Sequence, residues 1–300
     1  MVWIALAIVY VVWGSTFFAI ALVVHSMPPL LAAGARFMMA GLILGVIIAL
    51  RDRRALRVGR RQLVGAAAVG TLLLAGGNGL VTLGERTVPS GLAALIIASI
   101  PLWVVILRLA FGERIGRDIL AGVGVGILGV GILVVPNGIT GQIELLPLLL
   151  LVLAALFWAS GSFLSQRIAM PLSVWGSAVY QQIAAGIVLI GFGTLFGEAR
   201  AVDASRFTTE SLFGLAYLVV FGSLVAFSAY TWLLQNAPVS LVSTYAYVNP
   251  VIAVFLGTLF LAEPITPTMI AGAALILAAV AFTLQRLNSA RVASRAAEAA

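Results

Sequence analysis

The chain has 300 residues, of which 62% are hydrophobic and 9% are charged, and its mean hydropathy is +1.17. Soluble domains carry roughly 25% charged residues, so this composition indicates an integral membrane protein rather than a soluble globular one. The net charge of +7 comes from arginines in and around short loops and does not indicate nucleic-acid binding, while the absence of cysteine excludes disulfides and thiolate metal sites.

Hydrophobic segments that are long enough to cross a bilayer follow one another with short loops between them. The ten predicted spans lie at about 2–24, 30–50, 62–83, 88–111, 117–135, 146–168, 173–196, 211–235, 239–262 and 266–286. The first run begins at Met1 with no basic region before it, so we interpret it as a retained span rather than a cleaved signal peptide.

The loop 51–61 carries six arginines, and short basic loops stay in the cytoplasm. Counting outward from this loop places 13 arginines on its side of the membrane and 3 on the other side. The distribution predicts that both termini are cytoplasmic in a multi-pass protein of the plasma membrane or the bacterial inner membrane.

Spans four and nine share a pattern of prolines and glutamates. In each, one proline opens the span, a second follows 12 residues later, and a glutamate ends the span after another 12 or 13 residues. The residues are Pro89, Pro101 and Glu113 in span four, and Pro238, Pro250 and Glu263 in span nine. A mid-helix proline removes a backbone donor and bends the helix, so Pro101 and Pro250 are predicted hinges. Paired proline-interrupted spans in matching positions point to the binding site of a transporter.

Other motifs recur in the same order. Trp13–Phe17 reads WGSTF and Trp158–Phe163 reads WASGSF, while Arg36 and Gln181 each stand five residues before a glycine. Because five spans reverse the side on which the second copy starts, we predict an all-α integral membrane protein whose ten helices form two inverted five-helix repeats. The predicted domains are the repeats 1–136 and 146–286 and a cytoplasmic tail at 287–300.

The tryptophan motif of span one, the mid-helix prolines, and the ends Gly112-Glu113 and Ala262-Glu263 resemble the EamA family. This family comprises ten-span members of the drug/metabolite transporter superfamily, and within it the chain looks most like amino-acid exporters of the YddG type. The resemblance covers nearly the whole chain and implies an exporter of small metabolites with a central cavity between two inverted halves. Ala262 departs from the glycine that many members have before this glutamate.

Trp and Tyr usually lie at membrane interfaces, but several here lie near the middle of their spans, together with amides and Ser243. The predicted substrate-binding residues are Trp13, Asn78, Trp103, Trp158, Tyr245, Tyr247 and Asn249. We expect them in a midplane cavity walled by spans one, three, four, six, eight and nine. Aromatic faces can bind an ammonium group and amides can bind a carboxylate. The alternative is that the tryptophans only fill volume.

Arg36 and Gln181 are intramembrane polar residues whose role the sequence leaves open. A charge at the bilayer centre costs about 2.5–3.5 kcal/mol on insertion scales, so Arg36 either serves function or snorkels to the interface. Glu113 and Glu263 fall at span ends, where the N-terminal dipole of the following helix favours a carboxylate. We therefore prefer a structural role for them over a proton relay and expect transport without obligatory proton coupling.

No catalytic or metal-binding pattern accompanies these residues. The single histidine, His25, lies in a loop, so we expect no enzyme, no metal site and no cofactor. The favoured hypothesis is a monomeric secondary transporter that exports small neutral or zwitterionic metabolites, including aromatic or apolar amino acids, by alternating access. Its partners would be a small-molecule substrate and the lipid bilayer. The alternatives are an exporter of cationic drugs or other metabolites and a non-transporting scaffold or lipid-handling protein.

Overall fold

The computed structural model describes residues 1–139, 143–237, 239–242 and 244–299, so Pro238 and Ser243 lie outside the described residues. Throughout these ranges the regular elements are helices. Nine helical segments of the described chain are long and apolar enough to cross a membrane, and the shorter apolar helix Tyr245–Leu261 stands at the position of the predicted ninth span. The prediction of an all-α, ten-span membrane protein is confirmed.

In the first half the helices are α1 (Val2–Val24), α2 (Pro29–Arg51), α3 (Arg60–Gly70), α4 (Gly79–Gly84), α5 (Ser90–Ile97), α6 (Ile100–Ala110) and α7 (Arg117–Ile139). In the second half they are α8 (Leu145–Ser165), α9 (Val174–Leu195), α10 (Thr209–Tyr217), α11 (Phe227–Asn236), α12 (Val239–Val242), α13 (Tyr245–Leu261) and α14 (Pro267–Ala299). Short 3₁₀ turns occupy Arg53–Leu56, Glu198–Arg200 and Ala204–Arg206.

Spans three and eight are continuous but change helix type at matching places. A π-helical segment joins α3 to α4 at Thr71–Asn78, and another joins α10 to α11 at Leu218–Ala226. Such segments are rare and frequently lie at functional sites. Their presence in the third span of each half extends the internal repeat beyond the residues that the sequence pattern pairs.

Spans four and nine are both interrupted, but at different places relative to their prolines. Span four breaks between Ile97 and Ile100, so Pro101 is the second residue of α6, where a missing N–H is tolerated. In span nine Thr244 lies in a turn before α13, and Pro250 lies inside that helix. The two predicted hinges therefore differ in local structure.

The helices of one half pack on helices of the other. α2 packs along α9 and α7 along α14, while α1 packs on α13 and the matching α8 packs on α6. Inverted repeats related by a pseudo-two-fold axis produce this reciprocal pattern. Where α7 meets α14, a Cβ added to Gly129 would lie 3.1 Å from the carbonyl oxygen of Gly272, so small residues allow a close approach within the chain.

Consecutive spans alternate in direction, which gives the helix bundle two distinct ends. We call the end that carries the loop 51–61 and the chain termini the basic end, and the opposite end the far end. Span four runs from the far end at Ser90 to the basic end at Ala110, and α13 reaches the far end at Leu261.

Candidate substrate-binding cavity

A cavity of about 100 Å³ lies at the middle of the helix bundle, between the two repeats. All six spans predicted as its walls contribute lining residues, and so do spans two and seven, which the prediction left out. The aromatic lining consists of Trp13, Phe17, Phe37, Trp158, Phe227 and Tyr245. The polar lining consists of Thr16, Arg36, Asn78, Gln182, Ser223 and Asn249.

The aromatic side of the cavity is a cluster of rings from spans one, eight and nine. The ring centroid of Trp13 lies 4.9 Å from that of Tyr230 and 5.3 Å from that of Tyr245, in an edge-to-face arrangement with the latter. The Trp13 indole N–H donates to the carbonyl of Gly222, in the π-helical segment of span eight, at 3.3 Å. Edge-to-face contacts and this hydrogen bond hold the rings in place, so the surface offered to a ligand is preformed.

Asn249 lines the cavity and also ties span nine to span one. With the side-chain amide assigned from its hydrogen-bonding surroundings, its nitrogen donates to the backbone carbonyls of Tyr10 and Tyr245, each at 3.2 Å. A second hydrogen bond between spans one and nine joins the hydroxyl groups of Tyr10 and Thr244. Polar groups in lipid need partners within the protein, and these bonds supply them next to Pro250, where the helical pattern is disturbed.

The polar side of the cavity is built around Arg36. Its side chain is buried, Nε donates to Ser223 Oγ at 2.9 Å, and the guanidinium carbon lies 4.8 Å from the centroid of the Phe37 ring. Gly222 leaves room for it, since a Cβ there would lie 3.1 Å from an Arg36 Nη. Arg36 therefore reaches inward across the bundle to span eight instead of snorkelling to the membrane surface.

Gln182 lies in the cavity lining, whereas the Gln181 side chain does not. Gln181 Nε2 donates to Ser177 Oγ at 2.9 Å, one turn earlier in α9. Gln182 is 1% exposed, and both polar atoms of its amide lack a hydrogen-bond partner among the residues that the structure describes. The spacing that pairs Gln181 with Arg36 in the two repeats does not by itself determine which side chain faces the cavity, because successive side chains of a helix point about 100° apart.

Two of the seven predicted binding residues lie outside the lining of this cavity. Trp103 donates its indole N–H to Ser99 Oγ at 3.1 Å, across the break in span four. The Tyr247 hydroxyl donates to the carbonyl of Val280 in α14 at 3.3 Å. Trp103 thus bridges the break within span four, and Tyr247 joins span nine to α14. Trp13, Asn78, Trp158, Tyr245 and Asn249 are brought together in the lining.

A second cavity of about 280 Å³ lies between the central cavity and the basic end. Ile100, Trp158 and Tyr245 line both cavities and so form the boundary between them. Ala246 lines the second cavity, and its carbonyl lacks a helical donor because Pro250, four residues later, has no N–H. This is the kind of surrounding in which a carbonyl without its helical donor is tolerated in a membrane protein.

Glu113 stands at the mouth of the second cavity between two arginines. Arg108 Nε donates to one carboxylate oxygen at 2.7 Å, and Arg167 donates to the other. The hydrogen bond from Arg108, followed by the charges of both arginines, lowers the pKa of Glu113. All three side chains are partly exposed, so this end of the second cavity is polar and open.

Glu263 at the far end joins span nine to the start of span four. Its carboxylate accepts hydrogen bonds from Ser90 N at 2.6 Å, Gly91 N at 3.0 Å and Ser90 Oγ at 3.1 Å, and so caps α5. The sequence predicts that Glu263 faces the helix that follows it, but the N-terminus that it caps belongs to the other half. We call this contact, formed by Glu263, Ser90 and Gly91, the far-end latch.

Glu85 is buried beside the far-end latch. It is 5% exposed, and neither carboxylate oxygen has a hydrogen-bond partner in the described part of the chain. Burial, and after it the negative charge of Glu263, raises the pKa of Glu85 well above its ordinary value. The far end thus pairs one capping carboxylate with one buried carboxyl group. In the described ranges no three His, Cys, Asp or Glu side chains could hold a metal ion.

The model of the EamA-like transporter family matches residues 1–135 and 145–285, which are the two repeats. The chain belongs to the EamA-like transporter family. It is therefore a membrane transporter of the drug/metabolite type. The two matches agree with the two copies of the proline and tryptophan motifs in the sequence.

Relatives and a solved structure agree with this assignment. The chain is 37% identical over 257 residues, or 85% of this chain and 81% of the relative, to the "Uncharacterized inner membrane transporter YedA" of Escherichia coli strain K12. It is 27% identical over 284 residues, or 90% of each chain, to a "Probable amino-acid metabolite efflux pump" of the same strain. A crystal structure with 22% identity matches at a TM-score of 0.63 over 95% of this chain and 97% of that one, which supports the fold.

Sequence reasoning missed three features of the cavity region: Gln182, Tyr230 and the partners of Glu263. Gln182 carried a signal, since a glutamine in an apolar span needs a hydrogen-bond partner. The ring of Tyr230 and the partners of Glu263 depend on contacts between distant helices.

Proposed function

We propose that this transporter exports small neutral or zwitterionic metabolites, in particular amino acids with aromatic or apolar side chains, across the bacterial inner membrane by alternating access. The central cavity carries the proposal, because it brings aromatic rings, amides and one arginine together at mid-span between the two repeats. Each of these groups offers a weak contact, and a carrier must release its cargo as well as bind it.

The chemistry of the lining suits an amino acid. An ammonium group can rest on an aromatic face, with a stabilisation of about 0.5–2 kcal/mol, and an apolar side chain can pack on the remaining rings. A cationic drug would be better served by a buried carboxylate, and none of the described lining residues of the central cavity is acidic.

The access state also fits a carrier. The far-end latch closes one side of the bundle, while the second cavity leads from the central cavity towards the basic end. The arginine distribution supports a cytoplasmic location for the basic end. The names of two relatives, an inner membrane transporter and a probable amino-acid metabolite efflux pump, support this location and this class of cargo.

Counterflow of labelled amino acids into liposomes that contain the purified protein tests the proposal. We expect exchange of at least one aromatic or apolar amino acid, and a reduction in apparent affinity of roughly tenfold in Trp158→Ala and Trp13→Ala, because each loses an aromatic wall. Trp3→Ala is the matched control, since this tryptophan is exposed at the start of α1. Uptake of no amino acid by the parental protein would refute the proposal.

The orientation has its own test, because the native chain has no cysteine to interfere. Arg57→Cys lies in the loop at the basic end, and Thr87→Cys lies in an exposed turn at the far end. An impermeant maleimide applied to intact cells should label Thr87→Cys and spare Arg57→Cys. The reverse labelling pattern would place the basic end outside the cell.

A further inference from the structure

Arg36 is a buried charge without a counter-charge. It is 6% exposed, and its guanidinium makes no ion pair with any acidic side chain of the described residues. The neutral Ser223 hydroxyl accepts from Nε, and no described residue accepts from either Nη. Because an unpaired charge inside a membrane protein is costly, its retention points to a partner that arrives from outside the chain.

Gln182 is a second buried polar group without a hydrogen-bond partner among the described residues, and it lines the same cavity. Its amide is almost fully buried, lines the cavity, and has no hydrogen-bond partner for nitrogen or oxygen among the described residues. Buried amides in native proteins are nearly always paired, so an unpaired one beside a cavity indicates a group that the ligand or water supplies.

We infer that Arg36, Gln182 and Ser223 form a subsite for the carboxylate of the cargo, an inference that rests on the proposed transport function. Arg36 Nη and Gln182 Nε2 supply donors, and Ser223 anchors the guanidinium through Nε. A carboxylate accepts at two oxygens, which matches a planar guanidinium and a neighbouring amide.

The charge balance selects a monoanionic group. Arg36 is the one cation in the described lining of the central cavity, so one negative charge is neutralised there. A phosphate ester carries a charge near −2 at neutral pH and would leave an excess negative charge in a cavity of about 100 Å³. A carboxylate balances Arg36 and leaves the ammonium group of the same amino acid to the aromatic faces.

The position of the subsite also orients the cargo. Arg36 lies in the second turn of α2, towards the far end, whereas Trp158 and Tyr245 border the second cavity on the side of the basic end. A bound amino acid would therefore direct its carboxylate towards the far end and its side chain towards the aromatic boundary.

Competition in the counterflow assay tests the subsite with three matched probes: L-phenylalanine, L-phenylalaninamide and phenethylamine. The amide has lost the negative charge, and the amine has lost the whole carboxyl group. Charge-assisted hydrogen bonds predict that L-phenylalanine competes at a concentration roughly tenfold or more below the other two in the parental protein. Equal competition by all three, with exchange intact, would overturn the subsite and leave the transport function standing.

Variants test whether Arg36 and Gln182 cause the preference for L-phenylalanine over L-phenylalaninamide. Arg36→Gln and Gln182→Leu should each bring the acid and amide concentrations to within about threefold of each other, since a donor to the carboxylate is lost. Arg36→Lys, which keeps the charge, should retain part of the preference. Gln181→Leu is the control, because its side chain bonds within α9 and not into the cavity, and it should keep the parental ratio. If Arg36→Gln and Gln182→Leu both kept the parental preference for L-phenylalanine over L-phenylalaninamide, the inference would be refuted.

Two further outcomes distinguish failure of the subsite from failure of the proposed transport function. If chloride alone protects the purified protein against heat as well as L-phenylalanine does, and Arg36→Gln removes both effects, the site holds a free anion and the inference is wrong. If the parental protein exchanges none of the labelled compounds, the proposed function fails and the subsite fails with it. Retention of monodisperse elution by Gln182→Leu and Arg36→Lys keeps the comparison valid even if Arg36→Gln does not fold.

Discussion

Span four ends in Gly112-Glu113 at the basic end, and span nine ends in Ala262-Glu263 at the far end. Both turns place a residue with positive φ before the glutamate, +83° at Gly112 and +53° at Ala262. In both, the glutamate N–H bonds back to a carbonyl of the helix it leaves, that of Arg108 or Gly257. The two turns thus share the positive-φ residue before the glutamate, while the hydrogen bond reaches back five residues from Glu113 and six from Glu263.

The side-chain partners differ because one position differs. Seven residues after the mid-span proline, the second half has Gly257 and the first half has Arg108. A Cβ on Gly257 would collide with the Glu263 carboxylate and lie 2.8 Å from Ser90 Oγ, so glycine makes room for the far-end latch. Arg108 instead binds one oxygen of Glu113, and Arg167 of the second half binds the other.

The two ends of the transporter differ in how tightly they are closed. At the far end a carboxylate of one half caps a helix of the other half, which holds the halves together. At the basic end Glu113 also contacts the other half, through Arg167, but these side chains are partly exposed and line the second cavity. A carrier that alternates has to release the far-end latch before that end can open.

The prolines offer the largest expected effect. Pro250→Ala restores an N–H inside α13 and should stabilise that helix by up to about 3 kcal/mol, whereas Pro101→Ala acts in the first turn of α6 and should change stability little. Both should slow counterflow while substrate-induced thermal stabilisation is kept, because a bending point is lost. Thermal unfolding of the pair measures the contrast, and equal shifts in Tm would show that the two prolines are equivalent.

The two glutamates test the latch itself. Glu263→Gln removes charge-assisted hydrogen bonds to the N-terminus of α5 and should weaken the closed far end by about 1.5–3 kcal/mol. Labelling of Ile20→Cys, buried in the central cavity lining, by an impermeant maleimide from the far side should then accelerate roughly tenfold or more. Glu113→Gln is the matched variant and should not increase that labelling. An increase of the same size in Glu113→Gln would show that the far-end latch does not control access to the central cavity.

The two ends should also respond to pH with opposite signs. The raised pKa of Glu85 means that this buried carboxyl costs nothing below about pH 4.3 and destabilises the protein as pH rises towards the raised value. The lowered pKa of Glu113 means that its stabilisation is present above about pH 4.3 and is lost as pH falls through the lowered value. Glu85→Gln should therefore raise Tm at pH 8, and Glu113→Gln should lower it, while both differences shrink towards pH 4.

The positive-φ turns give the smallest effect. Ala262 adopts a left-handed conformation that costs an L-residue roughly 1–2 kcal/mol, and glycine adopts it freely. Ala262→Gly should raise the free energy of unfolding by about 1 kcal/mol, and Gly112→Ala should lower it by a similar amount. Changes of the same sign in the two variants would contradict the equivalence of the two turns.

The cavity lining was predictable in part. Trp13 and Trp158 repeat at matching positions, and Asn78, Tyr245 and Asn249 are polar or amphipathic residues in apolar spans, so the sequence pointed to them. Trp103 and Tyr247 met the same criteria but bond to Ser99 and Val280 outside the lining. Composition at a given depth locates a residue along the membrane normal but does not say which neighbour its side chain faces.

The sequence by itself determined the class of the protein, the ten spans and the two inverted repeats. It could do so because lipid requires each span to satisfy its own backbone, which makes length and hydropathy local properties. Only the tertiary structure decided that Gln182 rather than Gln181 faces the cavity, that Arg36 reaches Ser223, and that Glu263 caps the helix at Ser90. Spans that are apolar on every side carry no stripe to mark their inner face, so packing between distant helices sets their rotation.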